Sequence, residues 1–381
     1  MTEPLSPGVH IEENETPITR IEGVDTQTAL LIGVTTTGPE IATTVASFVD
    51  FVNAFGPQVP EPESAIRDRW TTDDEGGHWW QFSSSVKGFF DNGGQQAVIK
   101  RIPLNNPESL TPDDFVRAIE SLSDLTDVGL SLAPGMWSEK IHAALIKMCE
   151  QRGDSFTILD PPPALDINGI RAFRSRRSSS YAALYYPWLS IDGIDIASSG
   201  HVAGIYARSD RERGIHKAPA NEEIRGISKL AREVSNADQA LLNQHGINAL
   251  RSFPGHGSRV WGARTLSPDP DFKYVNVRRL LVYLERSIDV GTQWVQFEPN
   301  NERTWANVRL AVSDFLHDAW RDGALMGVTP ENAFFVKCDR STMTQNDLDN
   351  GRLICLIGVA VMKPAEFVLF RIGQWTAESN A

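Results

Sequence analysis

Between Thr28 and Tyr186 short apolar blocks, "TALLIGV", "QQAVIKRI", "VGLSLAP", "SFTILD" and "SYAALYY", alternate with helix-like stretches at "SFVDFVNAF", "HWWQFSSSVKGFFDNGG", 112–122 and 138–152. The first block reads as a buried strand, and the others have strand length and strand composition. Strands that alternate with helical patterns predict a mainly parallel sheet covered by helices, the α/β class.

The termini pose a different problem. Two apolar runs lie side by side in "LICLIGVAVMKPAEFVLFRIGQW", close to the end of the chain. The uncharged part, Leu353 to Met362, is about half of the roughly 20 apolar residues that a spanning helix needs, and Lys363, Pro364, Glu366 and Arg371 interrupt the remainder. Two strands with Pro364 at the break fit better, because a missing ladder donor is tolerated there. At the other end, Pro4, Pro7 and Pro17 break up an extended arm, yet "GVHIEE" alternates Val9 and Ile11 against His10 and Glu12. One isolated strand is not stable, so each terminal strand needs a partner.

Composition changes across "SDRERGIHKAPAN", Ser209 to Asn221, where charge, Gly214 and Pro219 predict a domain edge. Beyond it, "GINALRSFPG" and "SRVWGARTL" read as strands. A helix from about Tyr274 shows one apolar face through Val277, Leu280, Leu281, Leu284 and Ile288. A second helix, "NERTWANVRLAVSDFLHDAW", sets Trp305, Val308, Val312, Phe315 and Ala319 on one stripe and Arg303, Asp314, His317 and Arg321 largely off it. With "FFVKCD" and the terminal runs this half reads as α+β.

Among 381 residues, 36 Lys plus Arg stand against 49 Asp plus Glu, a net charge of −13 that argues against a nucleic-acid or anionic-membrane partner. The cluster "RAFRSRR", with Arg171, Arg174, Arg176 and Arg177, reads as a solvated helix end or a salt-bridged surface. Cys149, Cys338 and Cys355 have no C-x-x-C spacing and read as reduced thiols of a cytoplasmic fold. "MTEPLSPGVHIEE" has no apolar core, so no secretory signal is expected.

Little in the chain points to chemistry. "GVTTTGPE" has phosphate-loop spacing through Gly33 and Gly38, but Pro39 and Glu40 stand where the mechanism needs Lys and Ser or Thr. "PGHGSRVWG" lacks the third glycine of a dinucleotide fingerprint, and "SPDPDF" offers Asp269 and Asp271, too few carboxylates for a calcium loop. Asp160 ends a predicted strand, where ligands of open α/β sheets bind, and it keeps open an α/β enzyme as the alternative. No nucleophile, base and oxyanion donor come together, so no catalytic, cofactor or metal residue is expected.

Several stretches resemble the contractile tail sheath proteins, which coat the tubes of contractile bacteriophage tails and of tail-like injection particles such as R-type bacteriocins. "PGVHIEE" is similar to that family's N-terminal arm, and "IEGVDTQTALLIGVTTTGP", "SVKGFFDNGGQQAVIKRI" and "FTILDPPP" to its outer domain. The most specific matches are "LNQHGINALRSFPGHGSRVWGARTLS", "YVNVRRLLVYLERSI", "WVQFEPNNERTWANVR" and the run from "ENAFFVKCD" to "FRIGQW". His10 stands where an aromatic is usual, and His256 where a basic residue is expected.

The resemblance implies an N-terminal arm over 1–21, an outer α/β domain over 22–215 and an inner, tube-facing α+β domain over 216–381 with a C-terminal strand arm. It implies strand donation between copies, with Val9, His10, Ile11 and Glu12 at one end and Phe367, Val368, Leu369, Phe370 and Ile372 at the other. The helix from Asn300 to Asp322 is the expected tube contact, through Arg303, Arg309, His317 or Arg321. Expected partners are further copies in six-fold rings and a helical lattice, an inner tube protein, and baseplate and terminal cap proteins. Assembly is expected in the bacterial cytoplasm, without nucleic acid, membrane insertion or a cofactor.

Overall fold

The computed structural model describes residues 20–71 and 76–367. The described residues form two compact units, one of residues 24–286 with 361–367, the other of residues 20–23 with 287–360.

The larger unit holds strands β1 (Ala29–Thr35), β2 (Thr43–Val45), β3 (Ala97–Pro103), β4 (Leu130–Leu132), β5 (Phe156–Leu159), β6 (Ala182–Tyr186), β7 (Leu189–Ile191), β8 (Ile194–Ile196), β9 (Glu222–Glu223), β10 (Lys229–Leu230), β11 (Ile247–Phe253) and β12 (Gly257–Val260). Its helices are α1 (Phe48–Phe55), α2 (Ser64–Arg69), α3 (Phe82–Asp91), α4 (Pro112–Glu120), α5 (Glu139–Arg152), α6 (Ile167–Ser175), α7 (Ser199–Arg213) and α8 (Asn236–Gln244), followed by the start of α9 (Val275–Gly291). Nine strands form one mixed sheet in the order β2-β3-β1-β4-β5-β6-β11-β12-β9. From β3 to β11 every neighbouring pair is parallel, and antiparallel strands flank both sides.

Every residue of β1, β4, β5 and β6 is buried, as strands covered on both faces must be. Side chains alternate between two cores. Leu30, Ile32 and Val34 point with Phe115 of α4, Ile141 and Leu145 of α5, Phe173 of α6 and Leu242 of α8. Ala29 and Leu31 point with Phe51 of α1, Phe82 and Phe89 of α3, and Val202 and Tyr206 of α7. Local signals delimit the helices. Thr111 and Asp114 close a capping box ahead of α4 with Pro112 in its first turn, and Gly153 ends α5 in the left-handed conformation. The α3–α7 contact leaves no room for side chains, since a Cβ on Gly204 would lie 2.2 Å from the Phe89 carbonyl oxygen.

The expected edge at 215 does not divide this sheet, because β11 lies parallel to β6 and extends the same layer. The charged stretch that suggested it starts inside α7, where Ser209 and Asp210 are buried, and only Arg211 to Arg213 of that helix are exposed. Arg208 donates to the Asn92 and Glu223 carbonyls at 2.9 and 2.7 Å, and Asp210 is paired with Arg279.

The smaller unit holds α10 (Glu302–Arg321), α11 (Pro330–Ala333), β13 (Phe334–Lys337), α12 (Gln345–Asp349) and β14 (Leu356–Val359). Asn301 caps α10, its side-chain oxygen accepting from Arg303 N and Thr304 N at 3.1 Å. Trp305, Val308, Val312, Phe315 and Leu316 bury one face of that helix. β13 and β14 pair antiparallel, from Phe334 opposite Val359 to Lys337 opposite Leu356. Of the first C-terminal run only these four β14 residues are strand, and 365–367 in the second are not.

Candidate functional site

The loop after β1 is filled from within. Arg101 of β3 donates to Thr35 Oγ1 and to the Gly38 and Thr36 carbonyls at 3.1, 3.0 and 3.3 Å, which fits a turn and leaves no phosphate cradle. Gly255 and Gly257, at φ of 74° and 70°, make the β11–β12 turn.

Asp160 is buried at the end of β5 with 1% of its surface exposed. Its carboxylate accepts from Gly135 N at 2.9 Å and from the backbone and hydroxyl of Ser199, at the start of α7, at 3.0 and 2.5 Å. Burial pushes its carboxyl up to about 6, against the hydrogen bonds from Ser199 and Gly135. The group ties three segments together and has no face for a substrate. It also lies past β5, while the strand order reverses at β1, between β3 and β4.

The arginine cluster is only partly a surface. Arg176 is exposed beside Glu139, but Arg177 is 4% exposed and donates to His142 Nδ1 and the Phe173 carbonyl at 2.8 and 2.7 Å. Burial and the Arg177 charge hold His142 well below the usual histidine range.

On α10, Arg303, Arg309, His317 and Arg321 are all exposed. Arg303 and Arg321 are separated by roughly five turns at 3.6 residues each, so they share a face, and His317 falls beside them. Asp314 and the half-exposed Leu310 lie on the same stripe. Arg309 sits on a flank and donates to the Cys338 carbonyl at 3.2 Å.

Val9, His10, Ile11, Glu12, Val368, Leu369, Phe370 and Ile372 lie outside the described residues, while Phe367 is described and 73% exposed. The chain is anchored just inside both ends. Arg20 Nη2 lies 2.6 Å from Asp318 Oδ2, a bond that raises the guanidinium and lowers the carboxyl, and Ile21 is buried against Gly291. At the other end Arg264 grips Glu366 with two hydrogen bonds of 2.7 and 2.6 Å, and Tyr274 adds one at 3.1 Å. Burial raises the Glu366 carboxyl, but the Arg264 bonds and charge outweigh it and hold the group below the usual range. Pro364 to Phe367 line a groove of about 580 Å3 with Ala240, Trp261 and Tyr274. Neither anchor was expected from the sequence, since their partners lie 298 and 102 residues apart.

β13 and β14 form a sheet of two strands, with Phe335, Leu356 and Ile357 at 53%, 50% and 37% exposure. Phe335 lies over Gly358 directly opposite, where a Cβ would come within 2.2 Å of its ring. Among the described residues no third strand pairs with this ladder. Among the described residues no group of three or more acidic, His or Cys side chains could hold a metal, and no helix is long and apolar enough to cross a membrane.

Comparison with known proteins gives a consistent answer. Residues 117–266 match the model of the phage tail sheath protein central domain, and residues 267–374 that of the phage tail sheath C-terminal domain. A prophage major tail sheath protein of Pseudomonas aeruginosa is 26% identical over 65% of this chain and 66% of its own length. The tail sheath protein of Escherichia phage P2 is 25% identical over 60% and 56%. The chain thus spans at most about two thirds of these curated relatives. Among solved structures, the AFP helical sheath in its contracted state superposes with a TM-score of 0.76 at 29% identity, over 97% of this chain and 99% of that one. The contracted sheath complex of PVC, an extracellular contractile injection system, reaches 0.79 at 31% identity over 98% and 99%. With two sheath-domain models meeting end to end and a contracted sheath matched over nearly its whole length, the chain belongs to the contractile tail sheath family.

Proposed function

We propose that this chain is the repeating subunit of a contractile sheath: copies stack in six-fold rings around an inner tube and shift together from an extended to a contracted lattice. The observation that carries the reading is the two-stranded β13–β14 sheet, whose exposed edges offer backbone donors and acceptors to added strands. The anchors at Arg20 and Glu366 support it, because one fixes the chain just after, and the other just before, a segment expected to be donated. Donation would involve Val9 to Glu12 and Phe367 to Ile372, so that linked subunits move as rigid bodies without separating. The exposed α10 stripe of Arg303, His317 and Arg321, with Arg309 on its flank, is the proposed tube contact. Baseplate and cap proteins would close the ends of the lattice, and assembly would take place in the bacterial cytoplasm.

Contraction in this scheme is a downhill rearrangement of packed subunits. It needs no catalytic centre, and the burial of Asp160 removes the support for an enzyme there. Negative-stain electron microscopy of the full chain beside a version lacking 1–21 tests the reading. Tubes from the full chain, lost on truncation while the truncated protein remains folded, are the expected result. Folded monomers in both samples, unchanged by added tube protein, would defeat it.

A further inference from the structure

Cys338 follows the last residue of β13, and Cys355 precedes the first residue of β14. The register pairs Lys337 with Leu356, so one further step along the same antiparallel ladder sets Cys338 opposite Cys355. Residues directly opposed in such a ladder have Cα atoms about 4.5–5.5 Å apart. A disulfide spans about 4.4–6.8 Å, a range that includes the separation of opposed residues in such a ladder. The two thiols interact directly, an interaction that raises the Cys338 thiol and lowers the Cys355 thiol. The surroundings hold this end of the ladder in place: Thr342 Oγ1 bonds the Ile354 and Asp339 carbonyls at 2.8 Å, and Arg309 bonds the Cys338 carbonyl.

We propose that Cys338 and Cys355 are a modification site, a reversible cross-strand disulfide formed by exchange with a low-molecular-mass disulfide such as oxidised glutathione. Cys355 is half-buried and Cys338 fully buried, so the small disulfide meets Cys355 first. The Cys338 hydrogen bond and the Arg309 charge hold the Cys355 thiol below its usual range, which raises the thiolate fraction that attacks. Attack forms a Cys355–glutathione mixed disulfide and expels one glutathione thiolate. Cys338 then loses its proton, its sulfur attacks the Cys355 sulfur, and the second glutathione thiolate leaves. Two protein thiols and one glutathione disulfide become one protein disulfide and two glutathione thiols, two electrons passing from protein to oxidant. The bond would close a ring over residues 338–355 and fix the end of the β13–β14 ladder whatever the lattice does. Cys149 is a built-in reference, because burial pushes its thiol up to about 12 and it has no opposed cysteine.

The test is oxidation of the full chain with glutathione disulfide, trapping of free thiols, and non-reducing peptide mass spectrometry. A Cys338–Cys355 cross-linked peptide, lighter by two hydrogens than the reduced pair, with Cys149 still a thiol, is expected. Cys338→Ser should accumulate the mixed disulfide on Cys355, and Cys355→Ser should leave Cys338 unmodified. Wild-type protein that keeps both thiols, or that stops at a stable mixed disulfide on Cys355, would overturn the proposal.

Discussion

Arg264 and Glu366, 102 residues apart in sequence, meet through two parallel N–H···O bonds of 2.7 and 2.6 Å. This fork geometry is the strongest that a guanidinium and a carboxylate make, and Lys273 lies a further 4.0 Å from the same carboxylate. Glu366→Gln should therefore loosen the segment from residue 361 on by about 2 kcal/mol, the scale of hydrogen bonds to charged groups. Because the folded carboxyl is held below its ordinary value of 4.5, the contribution is fully present above that pH and is lost as pH falls through the folded value. Limited proteolysis near the C-terminus should accelerate in acid for wild type, and Glu366→Gln should cleave rapidly at neutral pH as well.

Arg279 and Asp210 form the most buried ion pair of the larger unit's described residues, with side chains 3% and 2% exposed and the shortest N···O distance 2.6 Å. Thr26 joins it, donating to Asp210 at 2.8 Å and accepting from Arg279 at 3.0 Å. Removing one partner strands the other charge, so Arg279→Met should cost roughly 3–5 kcal/mol. Chemical denaturation of single and double variants would measure it, and the double variant with Asp210→Leu should recover much of the loss.

Much of the sheet was legible in the sequence because β1, β3, β4, β5 and β6 are apolar blocks separated by helical patterns. The membership of β11 was not. Its connection runs through charges that look solvated, and only the fold shows that Arg208 and Asp210 are buried with partners. The anchors were hidden for a related reason: Arg20, Asp318, Arg264 and Glu366 are ordinary surface residues until chain reversal brings them together. The α10 stripe was legible from its period, Asp314 included, except that the stripe also takes in Leu310 and leaves Arg309 to one side.

Gly204→Ala should force α3 and α7 apart, since the added methyl meets backbone at 2.2 Å and cannot be accommodated by a rotamer change. Overpacking of this kind costs about 1–3 kcal/mol. Thermal melts should show the loss, whereas alanine at Gly153, which ends α5 with open space around it, should be penalised only for its left-handed backbone.

Asp160 gives a pH signature of opposite sign to Glu366. Its folded value of about 6 lies above the ordinary 3.8, so between these values the folded state binds more protons and stability falls as pH rises. Relative to Asp160→Asn, wild type should lose about 1.4 kcal/mol per pH unit across that window and stay level above it. A flat difference in denaturation free energy from pH 4 to 6 would contradict this.

Charge reversal on α10 separates fold from assembly. Arg303→Glu and Arg321→Glu change exposed side chains, and for Arg321 lose an exposed pair with Asp318, so the melting temperature should barely move. Tube-templated polymerisation, followed by sedimentation with tube protein, should nevertheless fail in both variants.

A free subunit whose last sheet has two strands among the described residues carries a hazard. Phe335, Leu356 and Ile357 are exposed on a ladder with no third strand among the described residues, and edges of this kind accept any extended segment, including wrong ones from misregistered copies. The concentration of unincorporated chain therefore matters as much as its folding. Overproduced alone, it should partition between ordered polymer and amorphous precipitate according to how fast nuclei form, and slower synthesis should favour the polymer.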